Sequence, residues 1–135
     1  MKSLLIALSL SLFAPVALAK GPTPQTATHE KTLVEGLKLI RDNKWDDWMQ
    51  RHCSTNKLCL NDNSKKSLKT YNLPALQRRI NRGCLKSGDT IKVVRTDGNP
   101  ASDTVLKIFI ECETTAMPVP FHLVKEGDKW TFSKI

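Results

Sequence analysis

The sequence predicts an α+β fold, in which amino-terminal helices pack on a curved, cone-like sheet of four antiparallel strands. Two observations support this prediction: apolar residues recur at helical spacing up to Gly83, and they alternate with a period of two from Asp89 onwards. Because the helices precede all of the strands, helices covering one face of the sheet are expected. The 135-residue chain shows no internal repeat, so we expect one domain over residues 28–135.

The first residues predict an export signal. Lys2 precedes the apolar stretch LLIALSLSLFAPVA, and the small residues Ala17 and Ala19 suit a signal peptidase. An uncleaved membrane anchor is less favoured, because a spanning helix needs about 20 apolar residues. No later stretch has the length to span a membrane. We therefore expect residues 1–19 to be a cleaved signal peptide, residues 20–27 to be an extended lead-in, and the product to be periplasmic or secreted.

Two helices are predicted before the first cysteine. The first is expected to be capped by Thr28 and to bury Leu33, Leu37 and Ile40, which recur at helical spacing. The second is a short helix in the stretch WDDWMQRHC, where four residues fall at i, i+3, i+4 and i+7 and form one face. A core role for this face is favoured over a ligand-binding role. Its members are Trp45, Trp48, Met49 and His52.

The middle of the chain is predicted to contain a loop followed by a third helix. Residues 54–72 are polar, and the stretch NDNSKKS within them has the composition of a loop. Helical spacing returns in NLPALQRRINRG, where Asn72 can cap the helix, Pro74 suits its first turn and Gly83 suits its end. The inner side of this helix is expected to consist of Leu73, Leu76 and Ile80.

Four strands are predicted from the alternation in DTIKVVRT, DTVLKIFIECE, VPFHLVK and KWTFSKI. The turn DGNP ends the first strand, and the last two strands form a hairpin around Glu126, Gly127 and Asp128. In the longest strand, side chains are expected to separate onto two faces. One face consists of Leu106, Ile108, Ile110 and Cys112, and the other consists of Val105, Lys107, Phe109 and Glu111.

Four cysteines predict disulfide bonds. An even number of cysteines in a small exported domain is typical of a disulfide framework, and four cysteines allow three pairings. We favour Cys53–Cys59, which closes a short loop, and Cys84–Cys112, which would join the end of a helix to the end of a strand. A zinc site is the competing interpretation, but the spacings contain no CxxC pair.

Two stretches resemble a known family. EGLKLIRDNKWDDWMQRHC, then a helix, then four strands ending VPFHLVKEGDKWTFSKI, resemble the small secreted bacterial members of the nuclear-transport-factor-two-like superfamily, whose domains are cystatin-like α+β cones. The matching features are the long first helix, the pair Trp45 and Trp48, and Gly127 with Trp130 in the last hairpin. The chain departs from many members at residues 54–72, where they have a β-hairpin.

The resemblance implies a sheet wrapped around a cavity. Members of the superfamily often pair through the open sheet, so a dimer would fit the resemblance, although nothing in these residues decides it. Some members are isomerases or dehydratases, others bind small ligands, and others are non-catalytic partners. The resemblance therefore implies no single activity.

The net charge of +8 is concentrated in one third of the chain. Residues 57–95 contain ten Lys or Arg residues and two Asp or Glu residues. Such a concentration would raise encounter rates with an acidic protein or an anionic envelope component, and a generic solvated basic face is an equally good interpretation. Nucleic acid is not expected, because Tyr71 is the only aromatic residue among these cations. The candidate partner-binding residues are Lys65, Lys66, Lys69, Arg78, Arg79, Arg82 and Lys86.

The sequence contains no recognisable catalytic constellation. It has neither a Gly-x-Ser-x-Gly elbow nor a Gly-rich phosphate loop, and no histidine stands at metal-binding spacing, so no catalytic residue, metal or cofactor is assigned. The preferred hypothesis is a non-enzymatic exported binding protein, for example a periplasmic immunity or inhibitor protein. The alternative is a small-ligand-binding or isomerase- or dehydratase-type protein with a central pocket. Candidates for that pocket are Trp45, Trp48, Phe109, Glu111 and His122.

Overall fold

The computed structural model describes residues 27–135, which form helices packed against a four-stranded antiparallel sheet in the strand order β1-β2-β3-β4. This confirms the predicted α+β class, whereas the cone-like shape stays a prediction. The predicted signal peptide lies outside the described residues, as does all but the last residue of the lead-in. The helices are α1 (Thr28–Arg41), α2 (Trp45–Arg51), α3 (Asp62–Ser67), a π-helical turn (Leu68–Asn72) and α4 (Leu73–Ile80). The strands are β1 (Val93–Asp97), β2 (Val105–Ile110), β3 (Val119–Glu126) and β4 (Lys129–Lys134).

The core lies between α1, α2 and the inner face of the sheet. Trp48 of α2 meets Phe132 of β4 in an edge-to-face contact with ring centroids 5.5 Å apart, and Phe121 of β3 lies 6.4 Å from Phe132 on the same side. All three rings are buried, and each contributes roughly 1.5–3 kcal/mol by leaving water. Gly36 allows α1 to approach this cluster, because a Cβ atom there would lie 2.7 Å from Cζ of Phe132.

The sheet shows the predicted alternation of faces. In β2, Leu106, Ile108 and Ile110 are buried while the residues between them are exposed or half-buried. In β3, Phe121 and Leu123 are buried against the helices, so His122 projects from the opposite, outer face. No helix among the described residues is long and apolar enough to cross a membrane.

The predicted loop over residues 54–72 is wrong in its second half, which is helical. Asn61 caps α3, because its side-chain oxygen accepts a hydrogen bond of 2.9 Å from the backbone N–H of Ser64. The π-helical turn then joins α3 to α4 without a break, and the backbone N–H of Leu73 donates to the carbonyl of Leu68 five residues earlier. We call the continuous helical segment over residues 62–80 the basic helix.

The π-helical turn is explained by the spacing of its leucines. In an α-helix, residues five apart point in different directions, but one π-turn brings both Leu68 and Leu73 onto the buried side. Leu76 and Ile80 continue that side at α-helical spacing. Asn72 is therefore not a cap: its backbone is helical and its side chain makes no capping hydrogen bond.

Both favoured disulfides are present, Cys53–Cys59 and Cys84–Cys112. The first belongs to a segment that lies along the free edge of β4. Phe132 donates its backbone N–H to the carbonyl of His52, and its own carbonyl accepts from the N–H of Ser54. Two disulfides fit an extracellular or periplasmic protein.

Candidate functional site

The basic helix is fixed at both ends by disulfides. Cys59 precedes its capping residue Asn61 by two positions, and Cys84 follows its last residue, Ile80, by four. The second disulfide connects this end to the segment after β2, at Cys112. The exposed side of the helix is therefore presented in one orientation, which lowers the entropic cost of binding a partner.

Most of the cations of the basic helix have no internal partner. They are exposed, and no carboxylate oxygen of the described chain lies within 4.0 Å of their nitrogens. Uncompensated like charges on one element repel each other, and an acidic surface would relieve that repulsion. The residues concerned are Lys65, Lys66, Arg78 and Arg79, and Arg82, two positions after the end of the helix, is exposed and unpaired in the same way.

Two of the seven candidate partner-binding residues are placed differently. Lys69 is exposed but forms an ion pair with Asp46 of α2, with 2.9 Å between Nζ and Oδ1. The side chain of Lys86 is only 16% exposed, and it lies 3.7 Å from Glu111 and 4.0 Å from Glu113. Lys86 follows the basic helix in a separate loop, and its charge is already compensated by these two carboxylates.

Tyr71, the aromatic residue among these cations, is a further exposed feature of the basic helix. It belongs to the π-helical turn and is 71% exposed. Arg78 follows seven residues later, on the side opposite the buried Leu73 and Leu76. Tyrosine and arginine are enriched at the energetic centres of protein interfaces, because both combine apolar area with hydrogen-bond donors.

The tryptophans proposed for a central pocket lie on the helical side of the sheet. Trp48 is fully buried in the aromatic cluster. Trp45 is half-buried, and its Nε1–H donates a hydrogen bond of 3.2 Å to the carbonyl of Ile40 at the end of α1. The space around Trp48 is therefore occupied by packed side chains.

The other three pocket candidates lie elsewhere. Phe109 and His122 occupy the outer face of the sheet, where the guanidinium of Arg95 lies 4.1 Å from the centroid of the Phe109 ring. Burial, together with Lys107 and Lys134, lowers the pKa of His122. The structure does not bring Phe109 and His122 around one cavity with the tryptophans.

Glu111 forms ion pairs with Lys86 and Lys92. Its Oε2 lies 2.8 Å from Nζ of Lys92, and Lys92 followed by Lys86 lowers the pKa of this carboxyl group. An ionised, paired and solvent-facing carboxylate is a poor general base. Among residues 27–135, no group of three or more His, Cys, Asp or Glu side chains could hold a metal ion.

Two features of the site region were not visible in the sequence. The first is a cleft of about 460 Å³ between α1 and α2, lined by residues that include Lys44, Arg51 and His52. The second is the carboxylate of Glu126, which accepts hydrogen bonds from Thr131 (2.7 Å) and Thr55 (2.9 Å). The cleft depends on the angle between two successive helices and the Glu126 contact on residues 71 positions apart, and the polar composition of residues 42–56 gave no signal for either.

No family model, curated protein or solved structure matches this chain. The resemblance to the nuclear-transport-factor-two-like superfamily therefore has no independent support. Function must be argued from the geometry of the chain itself.

Proposed function

We propose that this chain is an exported, non-enzymatic binding protein that uses the exposed side of the basic helix to bind an acidic protein. A periplasmic immunity or inhibitor protein is the specific form that we favour. The observation behind this proposal is a group of exposed cations without carboxylate partners in the described chain, four on the basic helix and Arg82 just after it, on a segment fixed by two disulfides.

Charge complementarity favours an acidic protein as the partner. Four unpaired cations of the basic helix and Arg82 just after it make this surface strongly positive, whereas the charge of Lys69 is balanced by Asp46. Complementary charge raises association rates and disfavours basic partners. Tyr71 would supply the apolar contact that long-range charge alone does not provide.

The test compares two charge-reversal variants with the same change in net charge. The first carries Arg78→Glu and Arg79→Glu on the basic helix and Arg82→Glu two positions after its end. The control carries Lys107→Glu, Lys129→Glu and Lys134→Glu on the sheet. Each immobilised variant is exposed to envelope extract of the producing cell, and any captured acidic protein is identified, purified and titrated by calorimetry at low and high salt.

We expect the wild-type chain and the sheet control to bind the purified partner with similar affinity, and the helix variant to bind at least tenfold more weakly. Affinity should fall with salt, because exposed charges are screened over about 10 Å at 0.1 M ionic strength. Equal binding by the two variants would refute the proposal. Binding of the wild-type chain to anionic lipid vesicles, with no protein partner, would refute it as well.

A further inference from the structure

The cleft between α1 and α2 lies apart from the exposed side of the basic helix. Its α1 wall runs from Glu35 to Asp42, and its other wall contains Lys44, Arg51 and His52. The volume of about 460 Å³ falls within the range of roughly 300–1,000 Å³ that is usual for sites binding small molecules. We call it the α1–α2 cleft.

His52 is a buried polar group without a partner. It is 6% exposed, its Nδ1 is enclosed by protein without a hydrogen-bond partner, and its ring makes no hydrogen bond within the described chain. Its backbone is fixed, because the carbonyl accepts the N–H of Phe132. Buried polar side chains are nearly always hydrogen-bonded, and Nε2, the ring nitrogen that is unbonded but not enclosed, has capacity to bond a ligand in the cleft that this residue lines.

The charged groups around His52 come from three elements. Burial lowers the pKa of His52, Glu35 of α1 opposes this, and Lys129 of β4 and Arg51 of α2 lower the pKa further. The ring is therefore neutral near pH 7, with one nitrogen able to donate and the other able to accept.

Two of the cations that line the cleft have no carboxylate partner in the described chain. Lys38 pairs with Asp89 at 3.3 Å, and Asp42 accepts a hydrogen bond of 3.0 Å from Arg41, so these charges are compensated. Lys44 and Arg51 have no carboxylate oxygen within 4.0 Å in the part of the chain that the structure describes. The cleft thus places two free cations beside an unbonded imidazole.

We propose that the α1–α2 cleft binds a small organic anion, whose carboxylate or phosphate oxygens are held by Lys44 and Arg51 and by a hydrogen bond from His52. The planar guanidinium of Arg51 suits either type of oxyanion, because its N–H groups form a fixed fork. The oxyanion is therefore placed against Lys44 and Arg51 and away from Glu35 of the α1 wall, whose nearest cation in the described chain is Lys31 at 4.0 Å.

The experiment uses the full chain labelled with ¹⁵N and two probes, citrate and inorganic phosphate. The ring nitrogens of His52 and the Nε of Arg51 are followed by NMR during each titration. Saturable shifts with citrate alone identify a carboxylate ligand, shifts with phosphate alone identify a phosphate ligand, and shifts with both support the shared oxyanion chemistry. A bound anion should also raise the pKa of His52, because an opposite charge nearby favours the imidazolium.

A pair of double variants locates the site. Lys44→Gln with Arg51→Gln should weaken binding of the probe at least tenfold, whereas Lys65→Gln with Arg79→Gln removes the same charge from the basic helix and should leave it unchanged. All four residues are exposed, so both variants should fold, which circular dichroism checks. The proposal is overturned if neither probe binds saturably, if both variants weaken binding equally, or if the His52 signals do not move. The protein-binding role of the basic helix is unaffected by any of these results.

Discussion

Replacing Gly36 with alanine should raise the helix propensity of α1 but crowd the side chains that pack against it. In an exposed helix interior, Gly→Ala stabilises by about 1 kcal/mol, because glycine loses more backbone freedom on folding. Gly36 lies instead where α1 meets β4, and an added Cβ would lie 2.7 Å from Cζ of Phe132, in close contact with its Cε2, and 3.3 Å from Nε1 of Trp48. Ordinary carbon contacts are about 3.5–4.0 Å, so the Phe132 ring would have to move by about 0.8 Å or more.

The surroundings of Phe132 leave little room for that shift. Its ring is fully buried between Trp48 and Phe121, and its backbone is hydrogen-bonded to the segment at His52 and Ser54. Overpacking of a well-filled core costs typically 1–3 kcal/mol. Taking the upper part of that range and subtracting the propensity gain, we expect Gly36→Ala to lower the free energy of unfolding by about 1–2 kcal/mol.

Urea unfolding followed by circular dichroism measures this change. Phe132→Leu, a shorter side chain, provides the control in a double-mutant cycle: in that background Gly36→Ala should be neutral or stabilising. If Gly36→Ala stabilised the otherwise unchanged protein, the close approach of α1 to β4 would be refuted. An equal loss in both backgrounds would show that the cost does not come from Phe132.

Three further predictions concern the disulfides, the cap of the basic helix and Glu126. Loop-closure entropy over separations of 28 and 6 residues predicts that Cys84→Ala with Cys112→Ala lowers the free energy of unfolding by about 3.6 kcal/mol, and Cys53→Ala with Cys59→Ala by about 2.2 kcal/mol. Chemical denaturation measures both, and the reverse order would contradict the assignment of the larger effect to the longer loop. Asn61→Ala should cost about 1 kcal/mol by the same assay, because it removes a side-chain cap, whereas the neighbouring Asn63→Ala should have little effect; equal losses would refute the cap. Burial tends to raise the pKa of Glu126, but hydrogen bonds from Thr131 and Thr55 outweigh it and hold the pKa below its usual value. The resulting stabilisation is present above the unfolded-state pKa of about 4.3 and is lost as pH falls through the lower folded-state value. Glu126→Gln should therefore differ most from wild type at neutral pH and converge with it in acid, unlike the control Asp128→Asn; a difference that persists at low pH would refute this account.

The parts of the fold that could be predicted are those in which local pattern and burial agree. Leu33, Leu37 and Ile40 recur at helical spacing because one side of α1 meets the core. Leu106, Ile108 and Ile110 alternate with less buried residues because one face of β2 packs against the core and the other does not. The Cys84–Cys112 pairing followed from the same prediction, since it joins the end of a helix to the end of a strand, whereas Cys53–Cys59 was predicted from the short loop that it closes.

The amino-terminal half of the basic helix could not be predicted in this way. Its only buried residue before α4 is Leu68, and the rest of that half is polar. The five-residue spacing from Leu68 to Leu73 matches neither an α-helix nor a strand, because it is produced by a π-turn. The signal that was available was Asn61, which precedes a polar helix that it caps.

The charges of the candidate site were visible in the sequence, but their pairing was not. Counting showed that the cations cluster in residues 57–95, yet only the fold reveals that Lys69 meets Asp46 and that Lys86 meets Glu111. The same applies to His52, since a helical face of aromatic residues does not tell which polar atom is left without a partner.

The strand-like segment at His52–Ser54 has a consequence for the behaviour of the chain under reducing conditions. It occupies backbone groups of Phe132 that would otherwise be free to pair with a strand from another molecule. The Cys53–Cys59 bond closes the loop that holds this segment in place. Reduction of that bond should loosen the segment and uncover the margin of β4, so the reduced protein should self-associate at denaturant concentrations too low to unfold its core.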